Sequence, residues 1–366
     1  MKNLIWRFSC ILLAAAIASC SPSGQVALLP WNVQEPAPVL ISSPLDGLPT
    51  ATPFQPLLVT PTYITTAYPT STSSPPTITP TPGFEQAETR TWADYPGPTV
   101  WPDIDIPPPA GLLAQPLGQV NIVLLGSDQR PNSGGFRTDT MILLTLNPSQ
   151  GTASLTSFPR DLYVYIPGWT MQRMNTAHQF GGFNATALTF EYNFGVHPDH
   201  YVLINLWSFE DAVDSIGGLD VDVAISLTDH RDDYGQFTVN SGSVHMDGET
   251  ALWYVRSRYS TSDFDRGRRQ QEVILAAFRK LLSLDALTKA PQLYEVYRQS
   301  VVTDMGFDQM AEFLPLASTL SDASRIHNYS IGPQQVIPWV NYSGAQVLLP
   351  IREAALDVVR QAISTP

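Results

Sequence analysis

The sequence has little of what builds covalent or metal-bound frameworks. Its 366 residues include only two cysteines, Cys10 and Cys20, and both lie close to the N-terminus. The rest of the chain therefore has neither a disulfide framework nor a cysteine-based metal site. Among the six histidines only His197 and His200 approach a metal-ligand spacing, and we interpret the segment between them as a turn.

Charge is also scarce, and positive charge most of all. Only 14% of the residues are charged, and 33 Asp and Glu outnumber 20 Lys and Arg, which leaves a formal net charge of -13. A chain without a broad basic face is a poor partner for nucleic acid, so we expect none. The 43% hydrophobic content suffices for the core of one large domain or two small ones.

The first 20 residues predict an export signal. Lys2 and Arg7 precede an apolar run over residues 8–18, which is shorter than the roughly 20 residues of a transmembrane helix. The following Ile17-Ala-Ser-Cys20 resembles the lipobox of bacterial lipoproteins, which implies a lipid anchor on Cys20 at the extracytoplasmic face of the membrane. An uncleaved signal anchor and an ordinary secretory signal are the alternatives.

Residues 21–117 predict a tether rather than a domain. Most of the 32 prolines lie in this stretch, together with many Thr and Ser. Proline fixes φ and removes a backbone donor, so an extended and disordered spacer is expected here. Whether the tryptophan-rich end at residues 92–101 docks on the following domain is open at this point. The folded domain is placed at residues 118–366.

From residue 120 short apolar runs alternate with helical patterns, which predicts an α/β domain. Strands are predicted at residues 120–126, 140–146, 153–158, 201–206, 219–225 and 326–331. Helices are predicted at residues 174–180, 185–194, 207–216, 247–255, 291–299, 307–321 and 351–363, and through the arginine-rich stretch to residue 282. Asp247 is the expected N-cap of its helix.

The few positive charges are concentrated in residues 254–271. A quarter of all Lys and Arg residues lies there: Arg256, Arg258, Arg266, Arg268 and Arg269. Arg266, Arg269 and Gln270 are spaced to share one face of a helix, whose N-terminus favours anions. Guanidinium groups bind phosphate oxygens in pairs, so this stretch is interpreted as a phosphate or pyrophosphate site. The alternative is a surface helix whose arginines pair with acidic residues.

Like charges this dense would repel one another in the absence of a bound anion. Asp263 and Asp265 offer partial relief. We therefore expect an empty site that is strained, and a protein that loses no stability when one of these arginines is replaced.

Further charged pairs follow the ends of predicted strands, where α/β sheets place their ligand sites. Asp128 and Arg130 follow the first strand, Arg137 and Asp139 precede the second, and Arg160 follows the third. Asp128 and Asp139 are hard oxygen ligands suited to Mg²⁺, which commonly binds one or two carboxylates plus substrate phosphates. The alternative makes each Asp a turn or cap residue paired with a neighbouring arginine.

Taken in order, these motifs resemble the LytR-CpsA-Psr family of bacterial cell-envelope enzymes. They are Asn121-Ile-Val-Leu-Leu-Gly-Ser-Asp-Gln-Arg130, Arg137-Thr-Asp-Thr-Met141, Phe158-Pro-Arg-Asp161, Gly217-Gly218, Asp247-Gly-Glu-Thr-Ala-Leu252, Arg256-Ser-Arg258 and Asp263-Phe-Asp-Arg-Gly-Arg-Arg-Gln-Gln271. The resemblance implies an α/β/α sandwich with a central mixed sheet. It also implies Mg²⁺-dependent transfer of a phosphate-linked glycopolymer from a polyprenyl-pyrophosphate carrier to peptidoglycan, which forms a phosphodiester.

The resemblance assigns roles by position. Asp128, Asp139 and Asp263 would be the catalytic carboxylates, the first two as metal ligands, and Asp263 would orient arginines or accept a proton. The pyrophosphate would be held by Arg160, Arg256, Arg258, Arg266, Arg269 and Gln270. The chain departs from the family at Asp265, where glycine is usual, and in its lipobox and tether, where a transmembrane helix is usual.

Two other functions fit the same residues. A hydrolase would use water instead of a sugar hydroxyl to attack the same lipid pyrophosphate. A non-catalytic module would bind envelope polyanions, and the Asp128 and Asp139 pair would then have no role.

Overall fold

The computed structural model describes residues 84–85, 87–102, 104–129, 136–283, 298 and 300–364. The predicted export signal, Cys20 and most of the predicted tether lie outside these residues, as does nearly all of the helix predicted at 291–299. No helix in the described part of the chain is long and apolar enough to cross a membrane.

The chain contains both strands and helices, mixed along its length as the sequence predicts. The strands are β1 Phe84–Glu85, β2 Gln115–Pro116, β3 Val120–Ser127, β4 Thr138–Asn147, β5 Thr152–Ser157, β6 Tyr163–Tyr165, β7 Met171–Arg173, β8 His200–Asn205, β9 Leu219–Val223, β10 Leu227–Arg231, β11 Gly235–Val239, β12 Gly242–Met246, β13 Val301–Thr303, β14 Ile326–Ser330, β15 Val336–Val340 and β16 Gln346–Pro350. The α-helices are α1 Ala177–Phe194, α2 Leu206–Ser215, α3 Gly248–Arg256, α4 Asp263–Ser283, α5 Phe307–Glu312, α6 Leu314–Thr319 and α7 Arg352–Ile363.

A six-stranded mixed sheet forms the centre, in the order β13-β8-β3-β4-β5-β14. Strand β3 is parallel to β8 and antiparallel to β4, and β5 is parallel to β14. Because side chains alternate across a strand, β3 sends Val123 to one face and Ile122 to the other. Val123 packs with Phe190 of α1 and Val359 of α7. On the other face Ile122 packs with residues of α4, α5 and α6. The predicted α/β/α sandwich with a mixed sheet is confirmed.

A second group of strands packs on the side of α4. Strand β9 pairs with β12 and β10 with β11, both antiparallel. Val221 of β9 and Val239 of β11 share a core with Val273 and Ala276 of α4. This layer places the residues of β10 beside the segment that joins α3 to α4.

The predicted strands are all present, but several elements were missed. Residues 227–246 form three strands, and β10 lacks a hydrophobic alternation because two of its buried positions are Asp229 and Arg231. The predicted helix at 307–321 is two short helices in the structure. Asp247 is the N-cap of α3 as predicted, since its Oδ1 accepts a hydrogen bond of 2.9 Å from the Thr250 amide.

The boundary of the folded domain lies earlier than predicted. Tyr95, inside the predicted tether, is buried, and its hydroxyl donates to Oε1 of Glu191 at 3.0 Å. Trp92 stacks on Tyr165 with ring centroids 5.4 Å apart. Buried aromatic rings compensate for the many prolines, which do not prevent an extended chain from packing. Residues 87–117, named here the strap, therefore belong to the domain, and the boundary at 118 is corrected.

Candidate functional site

The charged residues named from the sequence gather at one edge of the central sheet. Strand β3 ends there, its antiparallel neighbour β4 begins there, and β5 ends there. The carboxyl-end edge of an α/β sheet is the usual place for a ligand site. Helix α4 begins at the same edge, with Asp263 in its first turn.

A β-bulge directs Asp139 into this edge. Gly126 of β3 is opposite Thr140, but the next residue, Ser127, is opposite Thr138. Asp139 is therefore the extra residue of β4, and an extra residue re-aims its side chain. Gly126 permits the close approach, because a Cβ on it would lie 2.7 Å from Oγ1 of Thr140.

Arg160 is held by three carboxylates. Its Nη1 lies 2.8 Å from Oδ2 of Asp139, and its Nε lies 3.4 Å from Oδ2 of Asp161 and 3.8 Å from Oδ2 of Asp263. Burial by itself would lower the pKa of Arg160, but the three carboxylates outweigh it and raise that pKa. Arg160 is therefore a fixed cation at the pocket.

Asp263 lies between Arg160 and a second cation, Arg266. Its Oδ1 lies 3.2 Å from Nη1 of Arg266, whose side chain is only 7% exposed. Burial and the charge of Arg160 lower the pKa of Arg266, while Asp263 opposes them. An arginine remains protonated under such a shift, so two neighbouring guanidinium groups share one carboxylate.

These side chains line a shallow pocket that opens to solvent. Gln270 is buried in its wall and donates from Nε2 to the Val255 carbonyl at 3.5 Å. The lining residues are Asp139, Ser157, Phe158, Pro159, Arg160, Asp263, Phe264, Arg266, Gly267, Gln270 and Ser330. The structure thus brings Asp139, Arg160, Asp263, Arg266 and Gln270 together, as the sequence predicted.

Two residues that the sequence analysis left unassigned bind α4 to the sheet. A Cβ on Gly267 would lie 2.5 Å from Oγ of Ser157, so only glycine permits this contact between α4 and β5. Gln271 donates from Nε2 to the carbonyl oxygens of Leu155 at 3.1 Å and Tyr329 at 2.7 Å. A glycine inside an otherwise good helix pattern was the signal for the first of these.

Arg269 does not reach the pocket, which corrects its assignment to pyrophosphate. Its side chain is fully buried, and its guanidinium donates to the carbonyl oxygens of Tyr254 and Ser257 and to Oγ1 of Thr261. Its Nε also lies 3.2 Å from Oδ2 of Asp265. With its donors engaged inside the protein, Arg269 holds the segment between α3 and α4 in place.

Arg256 is the last residue of α3 and Arg258 lies on that segment, and both are exposed. No carboxylate in the described part of the chain forms an ion pair with either guanidinium. The charge of Arg258 is one of the causes, after burial and Arg160, that lower the pKa of Arg266, which lines the pocket. Arg268, outside the resembled pattern, pairs with Asp265 at 2.6 Å and with Glu272.

The two carboxylates named for a metal follow residues that are paired across β3 and β4. Asp128 accepts a hydrogen bond of 2.6 Å on Oδ1 from the Arg137 amide. Oδ1 of Asp139 is buried, and none of the described residues donates to it. A buried carboxylate oxygen without a donor is suited to a cation, so Asp139 fits Mg²⁺, whereas Asp128 does not line the pocket.

The protein supplies few ligands of its own at this position. Among the described residues no group of three or more His, Cys, Asp or Glu side chains is arranged to hold a metal ion. A Mg²⁺ ion here would therefore take its other ligands from substrate phosphates and water, as is usual for this ion.

Fold and site together define an α/β/α domain with a pocket of paired arginines and carboxylates suited to a polyanionic ligand. The chain belongs to the LytR_cpsA_psr family, whose profile matches residues 105–357.

Relatives and solved structures agree with this assignment. The chain is 35% identical over 203 residues to the polyisoprenyl-teichoic acid–peptidoglycan teichoic acid transferase TagU of Oceanobacillus iheyensis, a match that covers 53% of this chain and 62% of that protein. It is 33% identical to TagU of Bacillus subtilis, over 52% of this chain and 61% of that one. The chain thus spans about three fifths of the length of these relatives. The crystal structure of B. subtilis TagV superposes with a TM-score of 0.57 at 26% identity, over 67% of this chain and 95% of that one.

Proposed function

We propose that the protein transfers a phosphate-linked glycopolymer from a polyprenyl-pyrophosphate carrier to peptidoglycan. The observation that carries this proposal is the pocket in which Asp263 holds Arg160 and Arg266 together. Two fixed guanidinium groups at one carboxylate suit a pyrophosphate, which carries several negative oxygens in a small volume. The named activity of the TagU relatives supports the same donor and acceptor.

The reaction exchanges one phosphorus–oxygen bond for another. A sugar hydroxyl of peptidoglycan attacks the phosphorus that carries the glycan, and a phosphodiester forms. The bond from that phosphorus to the bridging oxygen breaks, and polyprenyl phosphate leaves with the electron pair. The hydroxyl proton passes to a pocket carboxylate, Asp139 or Asp263.

The chain's own residues position the phosphates and stabilise charge, which is most of what phosphoryl transfer requires. Arg160 and Arg266 hold phosphate oxygens, and Gln270 lines the pocket beside them. Mg²⁺ held by Asp128 and Asp139 would neutralise further charge on the pyrophosphate. Of the pocket residues, Asp139 holds Arg160 and would also be a ligand of the metal.

We also propose that Cys20 carries a lipid anchor that holds the domain at the extracytoplasmic face of the membrane. The lipobox-like Ile17-Ala-Ser-Cys20 supports this. Mass spectrometry of the membrane-bound protein should show a diacylated Cys20 at the mature N-terminus. A Cys20→Ala protein that remains in membranes uncleaved would show a signal anchor instead.

The activity is tested with the purified protein, a polyprenyl-pyrophosphate glycan, Mg²⁺ and peptidoglycan. We expect polyprenyl phosphate to be released and the glycan to become attached to peptidoglycan. Release that is equally fast without peptidoglycan, with free glycan phosphate as product, would show a hydrolase. Binding without release under all conditions would show a non-catalytic module.

The metal assignment has its own test in a titration of activity with Mg²⁺. Asp139→Asn should shift the titration to higher Mg²⁺ because an amide oxygen is a weaker ligand than a carboxylate. Asp128→Asn should do the same, and it retains an oxygen to accept from the Arg137 amide. Asp211→Asn, which lies on α2 outside the pocket, is the control and should titrate like the wild-type protein. Unshifted titrations of the Asp128 and Asp139 variants would refute their assignment as metal ligands.

A further inference from the structure

The segment between α3 and α4 is held from both sides by buried charged side chains. It contains Ser257, Arg258, Tyr259, Ser260 and Thr261, and we name it the Arg258 loop. On one side lies Asp229 of β10, and on the other lies Arg269 of α4. Neither anchor lines the pocket.

Asp229 contacts the loop on both sides of Arg258. Its Oδ2 accepts hydrogen bonds from Oγ of Ser257 at 2.5 Å, from the Tyr259 amide at 2.9 Å and from the Ser260 amide at 3.4 Å. Burial by itself would raise the pKa of this carboxyl, but its hydrogen bonds, the one from Ser257 first, outweigh burial and lower it. Asp229 is only 4% exposed and therefore acts as a buried anion.

Arg269 completes the arrangement from the other side. Its Nη2 donates to the Ser257 carbonyl and to Oγ1 of Thr261, so it contacts the first and last residues of the loop. The backbone on either side of Arg258 is thus bonded to buried groups, while the Arg258 side chain is exposed.

The anchored loop carries Arg258, whose side chain is exposed to solvent. None of the described carboxylates forms an ion pair with Arg258, although the chain carries an excess of acidic residues. A loop fixed before a ligand arrives loses less conformational freedom when the ligand binds. The anchored loop leads directly into α4, whose Arg266 lines the pocket, so an unpaired guanidinium on this loop is suited to a phosphate oxygen that projects from the pocket.

We propose that Asp229 is a positioning residue that holds Arg258 in place to contact the lipid pyrophosphate at the mouth of the pocket. This inference rests on the proposed function, since it takes the pyrophosphate as the ligand. The sequence alone offered no signal for Asp229, because it lies in a polar hairpin far from the arginine-rich stretch.

The test is a double-mutant cycle with farnesyl pyrophosphate as a soluble probe, measured by calorimetric titration. Arg258→Ala should weaken binding about tenfold, the loss of one charge-assisted contact. Asp229→Asn should weaken binding by about three- to tenfold in the wild-type background. In the Arg258→Ala background it should change binding less than about twofold, because two residues that act through one contact are not additive.

Ser257→Ala removes one of the bonds to Asp229 and provides a milder second variant. It should also weaken binding of farnesyl pyrophosphate, and in the Arg258→Ala background it should likewise change binding little. Asp232→Asn is the matched control, the same substitution on an exposed carboxylate of the same hairpin, and should leave binding unchanged.

Hydrogen exchange distinguishes positioning from general loss of structure. In Asp229→Asn the Tyr259 and Ser260 amides should exchange faster, while amides of the central sheet keep their protection. Equal binding losses for Asp229→Asn with and without Arg258 would overturn the positioning role and leave the proposed function standing. A wild-type protein that does not bind the probe at all would instead refute the proposed function, and this inference with it.

Discussion

The Oδ2 atom of Asp139 lies 2.8 Å from Nη1 of Arg160, so the bulged residue of β4 is paired with the arginine that follows β5. The pair shows that the arginines at this pocket are balanced by carboxylates before any ligand binds. Asp161 and Asp263 contribute to the same balance. The expectation of a strained cluster of like charges is therefore wrong for Arg160.

Replacing Arg160 should affect both binding and stability. We expect Arg160→Ala to weaken farnesyl pyrophosphate binding about tenfold or more, as lost charge-assisted contacts require. The apo protein should also melt at a lower temperature, because Asp139, Asp161 and Asp263 lose their shared cation. Calorimetric titration and thermal unfolding measure the two effects.

Arg160→Lys should restore part of the stability but little of the binding, since an ammonium lacks the planar fork. Arg279→Ala is the control. Arg279 lies near the C-terminal end of α4 and forms an exposed ion pair with Asp222 of β9, so its replacement should change neither measurement. An Arg160→Ala protein with unchanged probe affinity would contradict the role of Arg160 in the pocket.

Replacing Arg269 should mainly affect stability. Arg269→Ala leaves the carbonyl oxygens of Tyr254 and Ser257 without their buried donor, and Asp265 keeps only Arg268 as its partner. Loss of one member of a buried charged network costs about 3 kcal/mol, which should appear as a lower denaturant midpoint. A variant that keeps its stability but loses pyrophosphate binding would restore the assignment made from the sequence.

Replacing Gly267 should separate α4 from β5. In Gly267→Ala the new Cβ would lie 2.5 Å from Oγ of Ser157, so either that hydroxyl or the helix must move. We expect a loss of about 1–3 kcal/mol in the free energy of unfolding, together with weaker binding at the pocket.

A second substitution, at Ser157, should relieve the clash and restore stability. The Cβ of Ser157 lies 3.4 Å from the position of the added atom, so Ser157→Ala removes the clashing oxygen and leaves a tolerable contact. The double variant should recover most of the stability that Gly267→Ala loses. If the single and double variants are equally unstable, the clash is not the cause.

Removing the strap should destabilise the domain. A chain that begins at Gly118 loses Tyr95 and Trp92, which pack on Glu191, Tyr165 and Tyr192. Burial of one such side chain stabilises by about 1.5–3 kcal/mol, so the melting temperature should fall by several degrees. A chain that begins at Phe84 is the control and should match the full chain; equal melting of all three would return the boundary to residue 118.

Attachment of the strap should depend on pH through Glu191. The hydrogen bond with Nδ1 of His197, and then that from Tyr95, lowers the pKa of Glu191 below its usual 4.5. A lowered folded-state pKa means that its contribution is complete above about pH 4.5 and is lost as the pH falls through the lower folded value. Glu191→Gln should therefore destabilise at neutral pH, and the difference from wild type should shrink in acid. A difference that stays constant down to about pH 3 would show that the carboxylate charge is not involved.

The positions of the strands and of the pocket followed from local pattern. Apolar runs such as residues 120–126 form buried strands because the hydrophobic pattern acts within a few residues. Asp139, Arg160 and Asp263 were predicted to lie close together because strand ends and helix starts meet at one edge of a sheet. The polar hairpin of β10 and β11 and the strand β12 escaped prediction because they pack against α4, far along the chain.

The sequence by itself determined the fold class, the helix on which the arginines lie and the family of the chain, because these depend on periodicity and ordered motifs. Tertiary structure alone decided which arginine lines the pocket. Arg266 and Arg269 lie one turn apart on α4, yet the first lines the pocket and the second is fully buried against the Arg258 loop. The difference arises because a guanidinium's role is set by the acceptors packed around it, and those of Arg269 come from Tyr254 and Ser257, which only the folded chain brings to it.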